Sequence, residues 1–176
     1  MAAKARELKN KGVDIIGLSL GEPDFNTPEF IKEAAIQAVK DNFNSYSPVD
    51  GYVDLKAAIC EKFKRDNGLD YEPSQVVVST GAKQSIANVC MVLLNPGDEV
   101  LLPAPYWVSY SAISTLAESK SIIINSSIEN DFKITPEQLE AAITPKTKLV
   151  MFNSPNNPSG TIYTESEYRR LGAVLK

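Results

Sequence analysis

Ser79-Thr80-Gly81-Ala82-Lys83 follows the β-branched run Val76-Val77-Val78 and opens a long apolar helical pattern. A strand–glycine–helix junction turns several backbone N–H groups toward one point, at the positive end of the helix dipole. The natural guest of such a point is an anion, a phosphate above all. Lys83 adds a full positive charge, and Ser79 and Thr80 offer hydroxyls. The run is neither Gly-x-x-x-x-Gly-Lys-Ser/Thr nor Gly-x-Gly-x-x-Gly, and an ordinary helix start has the same residues. A second group, Pro103-Ala104-Pro105-Tyr106-Trp107, also follows a strand pattern. An indole there is placed to stack on a flat ring, although a core tryptophan satisfies the same pattern. A third, Ser154-Pro155-Asn156-Asn157-Pro158-Ser159-Gly160, follows the apolar Leu149-Val150-Met151-Phe152. Turn formers packed this densely at a strand end make a tight loop, and in open α/β sheets that edge is where ligands bind. Gly21, within Leu20-Gly21-Glu22-Pro23-Asp24-Phe25, lets the backbone approach a ligand closely, as does any glycine turn. Tyr46, in Tyr46-Ser47-Pro48-Val49-Asp50-Gly51, contributes a phenol.

The elements that must position these residues alternate between helical and strand periods, the pattern of an α/β protein. Residues 2–11 read as a helix ended by Gly12, followed by the apolar Val13–Leu18. Thr27 is expected to cap a helix with Pro28 at its first position. Ile31, Ala34, Ala35, Ala38 and Val39 give that helix one apolar face. A helix over Val53–Asn67 is closed by Gly68. Then come a strand at Val76–Ser79, a helix from Gly81 to about Leu94, and a strand at Glu99–Leu102. A helix at Val108–Ala117 and a strand at Ser121–Asn125 follow. Thr135 and Pro136 start a further helix, Lys148–Phe152 reads as a strand, and a last helix begins near Thr164. That helix runs to Lys176 without a cap, and four strands are few for a doubly wound sheet, so the pattern is expected to continue beyond these residues.

The composition excludes several classes of function. Of 176 residues 43% are hydrophobic and 23% charged, the values of a water-soluble globular chain. No apolar stretch approaches the roughly 18 residues that span a bilayer. Met1–Glu7 lacks the apolar core of a signal peptide, which predicts a cytoplasmic location. The net charge is −4 with acids and bases interspersed, so no basic face awaits a nucleic acid. Lys62, Lys64 and Arg65 share their helix with Glu61 and Asp66 and form a solvated face. There is no histidine, which removes a Ser-His-Asp or Cys-His nucleophile and the commonest zinc ligand from these residues. Cys60 and Cys90 fall in apolar helical patterns and read as small hydrophobes. No metal site is expected.

Taken in order, Gly-Glu-Pro-Asp-Phe, Tyr-x-Pro-x-x-Gly, Thr-Gly-x-Lys-Gln, Pro-Tyr-Trp-Val-Ser-Tyr and Ser-Pro-Asn-Asn-Pro-x-Gly form one series. The chain resembles the fold-type I pyridoxal-phosphate aminotransferases, most closely the bacterial aspartate aminotransferase branch, from Ala2 to Lys176. The resemblance implies a mainly parallel sheet with helices on both faces. Residues 1–27 would belong to a small domain and 28–176 to an incomplete large cofactor domain. It also implies that the backbone N–H groups of Gly81, Ala82 and Lys83 hold the phosphate of pyridoxal phosphate. Lys83 would extend toward a substrate's distal carboxylate, Trp107 would stack on the pyridine ring, and Asn157 would bond the ring oxygen. The N–H of Gly21 would meet the substrate's α-carboxylate. Tyr46 would reach the phosphate of a neighbouring subunit, which makes the expected enzyme a homodimer. Cis peptide bonds before Pro105 and Pro158 belong to the same pattern. Asp50 stands where relatives often carry alanine or glycine, and Ala82 where many carry glycine.

The implied activity is transfer of an amino group between an L-amino acid, aspartate first, and 2-oxoglutarate. A fixed cation at Lys83 favours a second carboxylate, which is costly to desolvate unpaired. Aromatic, kynurenine- or prephenate-type transamination is the nearest alternative. An aminotransferase-like effector domain of a transcription regulator and a non-catalytic scaffold are more distant ones. The family's Schiff-base lysine, pyridine-facing aspartate and α-carboxylate arginine have no counterpart in the matched motifs, and no Ser-x-Ser-Lys occurs. These 176 residues alone are therefore expected not to transaminate.

Overall fold

The computed structural model describes residues 2–16, 21 and 23–176. They divide into two compact units, Met1–Pro48 and Val49–Lys176. In the first, α1 spans Ala2–Asn10 and α2 spans Glu29–Lys40. The expected cap is displaced by one residue: Pro28, not Thr27, is the N-cap, with φ −53° and ψ 142° and no side-chain cap bond. Its backbone is of the polyproline type, so the first helical residue is Glu29. No residue of α2 is buried. Gly17 and Leu18 of the apolar Val13–Leu18, and Leu20 and Glu22 of the glycine loop, lie outside the described residues.

The second unit begins with α3 (Val53–Asn67), closed by Gly68 in the left-handed conformation at φ 66°. It continues through α4 (Ala82–Leu93), β1 (Glu99–Ala104), α5 (Ser109–Leu116) and β2 (Lys120–Asn125) to α6 (Pro136–Ala142), β3 (Thr147–Val150) and α7 (Glu165–Val174). The three strands form a wholly parallel sheet in the order β2-β1-β3. Successive residues of the central strand serve opposite faces. Val100 and Leu102 pack with Cys90, Leu94, Tyr110, Ile113 and Met151 on the α4–α5 side. Leu101 packs with Ile124, Ile134, Leu139, Tyr163 and Leu171 on the α6–α7 side. Burial on both faces explains why Val100-Leu101-Leu102 is continuously apolar. Both α6 and α7 start with reciprocal capping boxes, Thr135 with Gln138 and Thr164 with Glu167.

The expected strand at Val76–Ser79 is absent from the sheet. A short 3-10 turn occupies Pro73–Gln75, and Val76 is extended at φ −112° and ψ 129°. The segment makes one bond across the chain, from Val78 N–H to the carbonyl of Asp50 at 3.0 Å. β-branched residues favour extended backbone, but a strand needs a ladder partner, and none pairs with it among the described residues. Strand β3 stops at Val150 rather than Phe152, although Met151 N–H still donates to the Leu101 carbonyl at 3.0 Å. Cys60 and Cys90 are buried free thiols, and burial pushes the Cys90 thiol above its ordinary range.

Candidate active site

Three loops of the second unit carry the chemistry. The first leads into α4. Gly81 is its N-cap at φ 82° and ψ 166°, a left-handed φ that glycine adopts without strain. The Gly81 N–H donates to the Ser79 carbonyl at 2.8 Å, and the Thr80 N–H donates to the side-chain oxygen of Gln84. The N–H groups of Ala82 and Lys83 have no acceptor among the described residues. Of the three donors expected to hold a phosphate, Gly81 is thus engaged in shaping the turn, and Ala82 and Lys83 point from a helix start with their hydrogens uncommitted.

The second loop brings Trp107 to the same place. The Lys83 ammonium lies 5.3 Å from the centre of the Trp107 ring, within cation–π range. Trp107 meets Tyr110 edge-to-face at 5.7 Å and 84°, and packs beside the cluster of Cys90, Val100, Leu102 and Ile113. It remains partly exposed. Both descriptions of this residue hold together: the indole is anchored on the core, and part of it stays accessible beside a cation. Tyr110 is buried, which raises its phenol above the ordinary value.

The third loop holds Asn157, whose N–H meets the Asn153 side-chain oxygen at 3.4 Å and whose side chain is exposed. The peptide bonds before Pro105 and Pro158 are cis, in line with the resemblance, and that before Pro155 is cis as well. The neighbouring Asn156, which no sequence motif marks by itself, is the better anchored of the two. Its Oδ1 accepts from the Ser159 N–H at 3.0 Å and the Ser159 hydroxyl at 2.9 Å. Its Nδ2 donates to the Pro105 carbonyl at 3.2 Å, across 51 positions of sequence. Only its place beside Asn157 in a loop of turn formers could have drawn attention to it.

Gly21 and Tyr46 belong to the other compact unit, where both are exposed. The structure brings Ala82, Lys83 and Trp107 into one neighbourhood and joins the Asn157 loop to the Trp107 loop. It assembles no cluster of metal ligands among the described residues, and none of their helices is long and apolar enough to cross a membrane. Two helix-start donors without acceptors among the described residues, an ammonium beside an accessible indole, and the exposed Asn157 amide suit a flat, anionic, oxygen-bearing ligand. Pyridoxal phosphate has those three features, so the residues present fit it.

Residues 13–176 match the family model described as aminotransferase class I and II. The chain is 52% identical over its whole length to the aspartate/prephenate aminotransferase of Nitrosomonas europaea, and spans 44% of that relative. It is 49% identical to the aspartate aminotransferase of Bacillus subtilis, with 99% of this chain and 44% of that one covered. Its structure superposes on the aspartate aminotransferase of Rhizobium meliloti with a TM-score of 0.93 at 48% identity, over 99% of this chain and 44% of the other. For the Thermus thermophilus aspartate aminotransferase with maleate the TM-score is 0.93 at 42% identity, over 98% and 45%. The chain therefore spans under half the length of the relatives it matches.

Proposed function

The chain belongs to the aminotransferase class I and II family, and from that premise we propose that it supplies the phosphate-, ring- and ring-oxygen-binding groups of a pyridoxal-phosphate aminotransferase acting on aspartate and 2-oxoglutarate. The observation that carries this is the Lys83 ammonium 5.3 Å from the Trp107 ring centre, at a helix start whose Ala82 and Lys83 N–H groups have no acceptor among the described residues. Charge, dipole and an aromatic surface converge there, outside the C-terminal end of a parallel sheet, where ligands of such folds bind.

In this proposal Ala82 and Lys83 donate backbone hydrogens to the phosphate, with Gly81 fixing the turn. Trp107 covers the ring and excludes water from it. Asn157 donates its side-chain amide to the ring oxygen and so holds the ring's orientation. Lys83 offers its ammonium to the second carboxylate of a dicarboxylic substrate. Gly21 would bind the α-carboxylate, and Tyr46 would donate to the phosphate in a neighbouring subunit, completing a homodimer. When bound, pyridoxal phosphate supplies the sink for electrons released at the substrate's α-carbon. The groups of this chain bind and orient, and the covalent lysine lies outside its motifs. Residues 1–27 would join the smaller domain and 28–176 the larger, in a cytoplasmic enzyme.

Prephenate is a second amino-group partner, favoured by the name of the Nitrosomonas europaea relative; it too carries two carboxylates for Lys83 to read. The test is intact mass of the product of the complete coding sequence after incubation with pyridoxal phosphate and borohydride. One pyridoxyl adduct and turnover of aspartate with 2-oxoglutarate are expected. A protein that takes no adduct and turns over neither aspartate nor prephenate overturns the proposal.

A further inference from the structure

We propose that Asn156 is a positioning residue that holds the Trp107 ring in register with the Asn157 loop. Two consecutive carbonyls, those of Ala104 and Pro105, emerge where β1 ends, and each is taken by a side chain from a different neighbouring strand's exit. The Ser126 hydroxyl, just past β2, donates to the carbonyl of Ala104. The Asn156 amide, in the loop past β3, donates to that of Pro105 at 3.2 Å. Since β1 lies between β2 and β3, the base of the Trp107 loop is gripped from both sides.

Asn156 is itself fixed by four further bonds. Its N–H donates to the Thr161 carbonyl and its carbonyl accepts from Gly160 N–H, both at 2.8 Å. Its Oδ1 accepts twice from Ser159. That pair of bonds sets which way the amide faces: with Oδ1 turned to Ser159, Nδ2 must turn to Pro105. A planar group with an acceptor on one side and a donor on the other is required, and no residue but asparagine supplies it at this length. The next residue in the chain is Asn157, and two residues beyond Pro105 is Trp107. One side chain therefore ties together the two loops whose groups must meet the same ring from different directions. A half-ångström slip at such a support is enough to misplace the groups it carries.

The positioning role stands on these hydrogen bonds alone, and its consequence for cofactor binding rests on the function proposed above. Trp107 is the single tryptophan of the 176 residues, and in the product of the complete coding sequence its emission is read by difference against a Trp107→Phe counterpart, without any ligand. Three variants of that complete protein, each paired with its Trp107→Phe counterpart, separate the possibilities. Asn156→Ala removes both halves of the bridge. Asn156→Asp keeps the acceptor for Ser159 and loses the donor to Pro105. Of the two bonds to Oδ1, Ser159→Ala loses only that of the hydroxyl; the Ser159 N–H still holds Oδ1, so the bridge donor stays in place. Circular dichroism on heating shows which variants keep the fold.

Asn156→Asp is expected to red-shift Trp107 emission and increase its quenching by acrylamide, while Ser159→Ala leaves both as in the parent. Affinity for pyridoxal phosphate, titrated directly, should then fall about tenfold in Asn156→Asp, the consequence of one net hydrogen bond lost and one carbonyl left opposed. Unchanged Trp107 emission and quenching in a folded Asn156→Asp protein would falsify the inference. So would equal changes in Asn156→Asp and Ser159→Ala, which would mean general loosening of the loop. If the parent chain binds no pyridoxal phosphate, the fluorescence comparison still decides the role of Asn156, and only the functional proposal loses support.

Discussion

At the scale of single residues, Lys83 has two tasks that can be pulled apart. Its backbone N–H serves an anion whatever its side chain is, and its ammonium lies over Trp107. Lys83→Met keeps the first and removes the second. A charge-assisted contact is worth about 1.5–3 kcal/mol, so kcat/KM for aspartate should fall roughly ten- to a hundredfold in the complete enzyme. The value for phenylalanine, which has no second carboxylate, should change little. Steady-state kinetics with the two substrates checks this, and an equal loss for both would remove Lys83 from substrate reading. Lys83 and Trp107 were legible in the sequence because each sits next to a strong local signal, a glycine at a helix start and a proline pair after a strand. Asn156 was not, because its bond to Pro105 joins residues 51 positions apart, and no local pattern encodes which way an amide faces.

At the scale of elements, the sharpest constraint is where α3 begins. Gly51 has φ +98°, and a Cβ built there would stand 2.6 Å from Val78 Cγ2. Gly51→Ala should therefore cost about 1–3 kcal/mol through overpacking alone, with the left-handed backbone adding to it. Chemical denaturation measures the loss, and Val78→Ala in the same chain should restore part of it. Asp50, beside this glycine, is ion-paired with Lys56, whose side chain is only 8% exposed. The hydrogen bond from Lys56 holds the Asp50 carboxyl below its ordinary 3.8. The carboxylate's contribution is complete above that ordinary value and is lost as pH falls through the lower folded one. Asp50→Ala should lower Tm at neutral pH, and the difference from the parent should vanish on acidification well below 3.8. Lys56→Met should cost less, because it leaves no buried ammonium without a partner. Thermal melts of both variants across pH separate these outcomes. The bounds of α3 were readable to the residue, since Gly68 stops the helix by a purely local mechanism. The strand expected at Val76–Ser79 does not form, because valines announce extended backbone while pairing depends on a partner that propensity cannot supply. Its one cross-chain bond goes to Asp50, at the same junction.

At the scale of the whole molecule, the parallel sheet with helices on both faces follows from a central strand too apolar to face water on either side. The placement of Tyr46 does not follow from any such rule. It lies in the other compact unit from Lys83 and Trp107 and is fully exposed there. The proposed homodimer gives it a task, and the proposal has a measurable consequence. If Tyr46 serves the neighbouring subunit's phosphate, a hybrid of one Tyr46→Phe subunit and one Lys83→Ala subunit has one site with both defects and one with neither. Random pairing makes half the dimers hybrids, so about a quarter of all sites should regain parental activity in a mixture of two impaired variants. If Tyr46 acts within its own subunit, every site in the hybrid keeps one defect and the mixture recovers nothing. Co-expression of the two variants with different tags, isolation of the hybrid and a rate measurement distinguish the cases. The outcome also bears on affinity: a site shared between subunits couples cofactor binding to dimerisation, so pyridoxal phosphate should then hold the dimer together at dilutions where the unliganded protein dissociates.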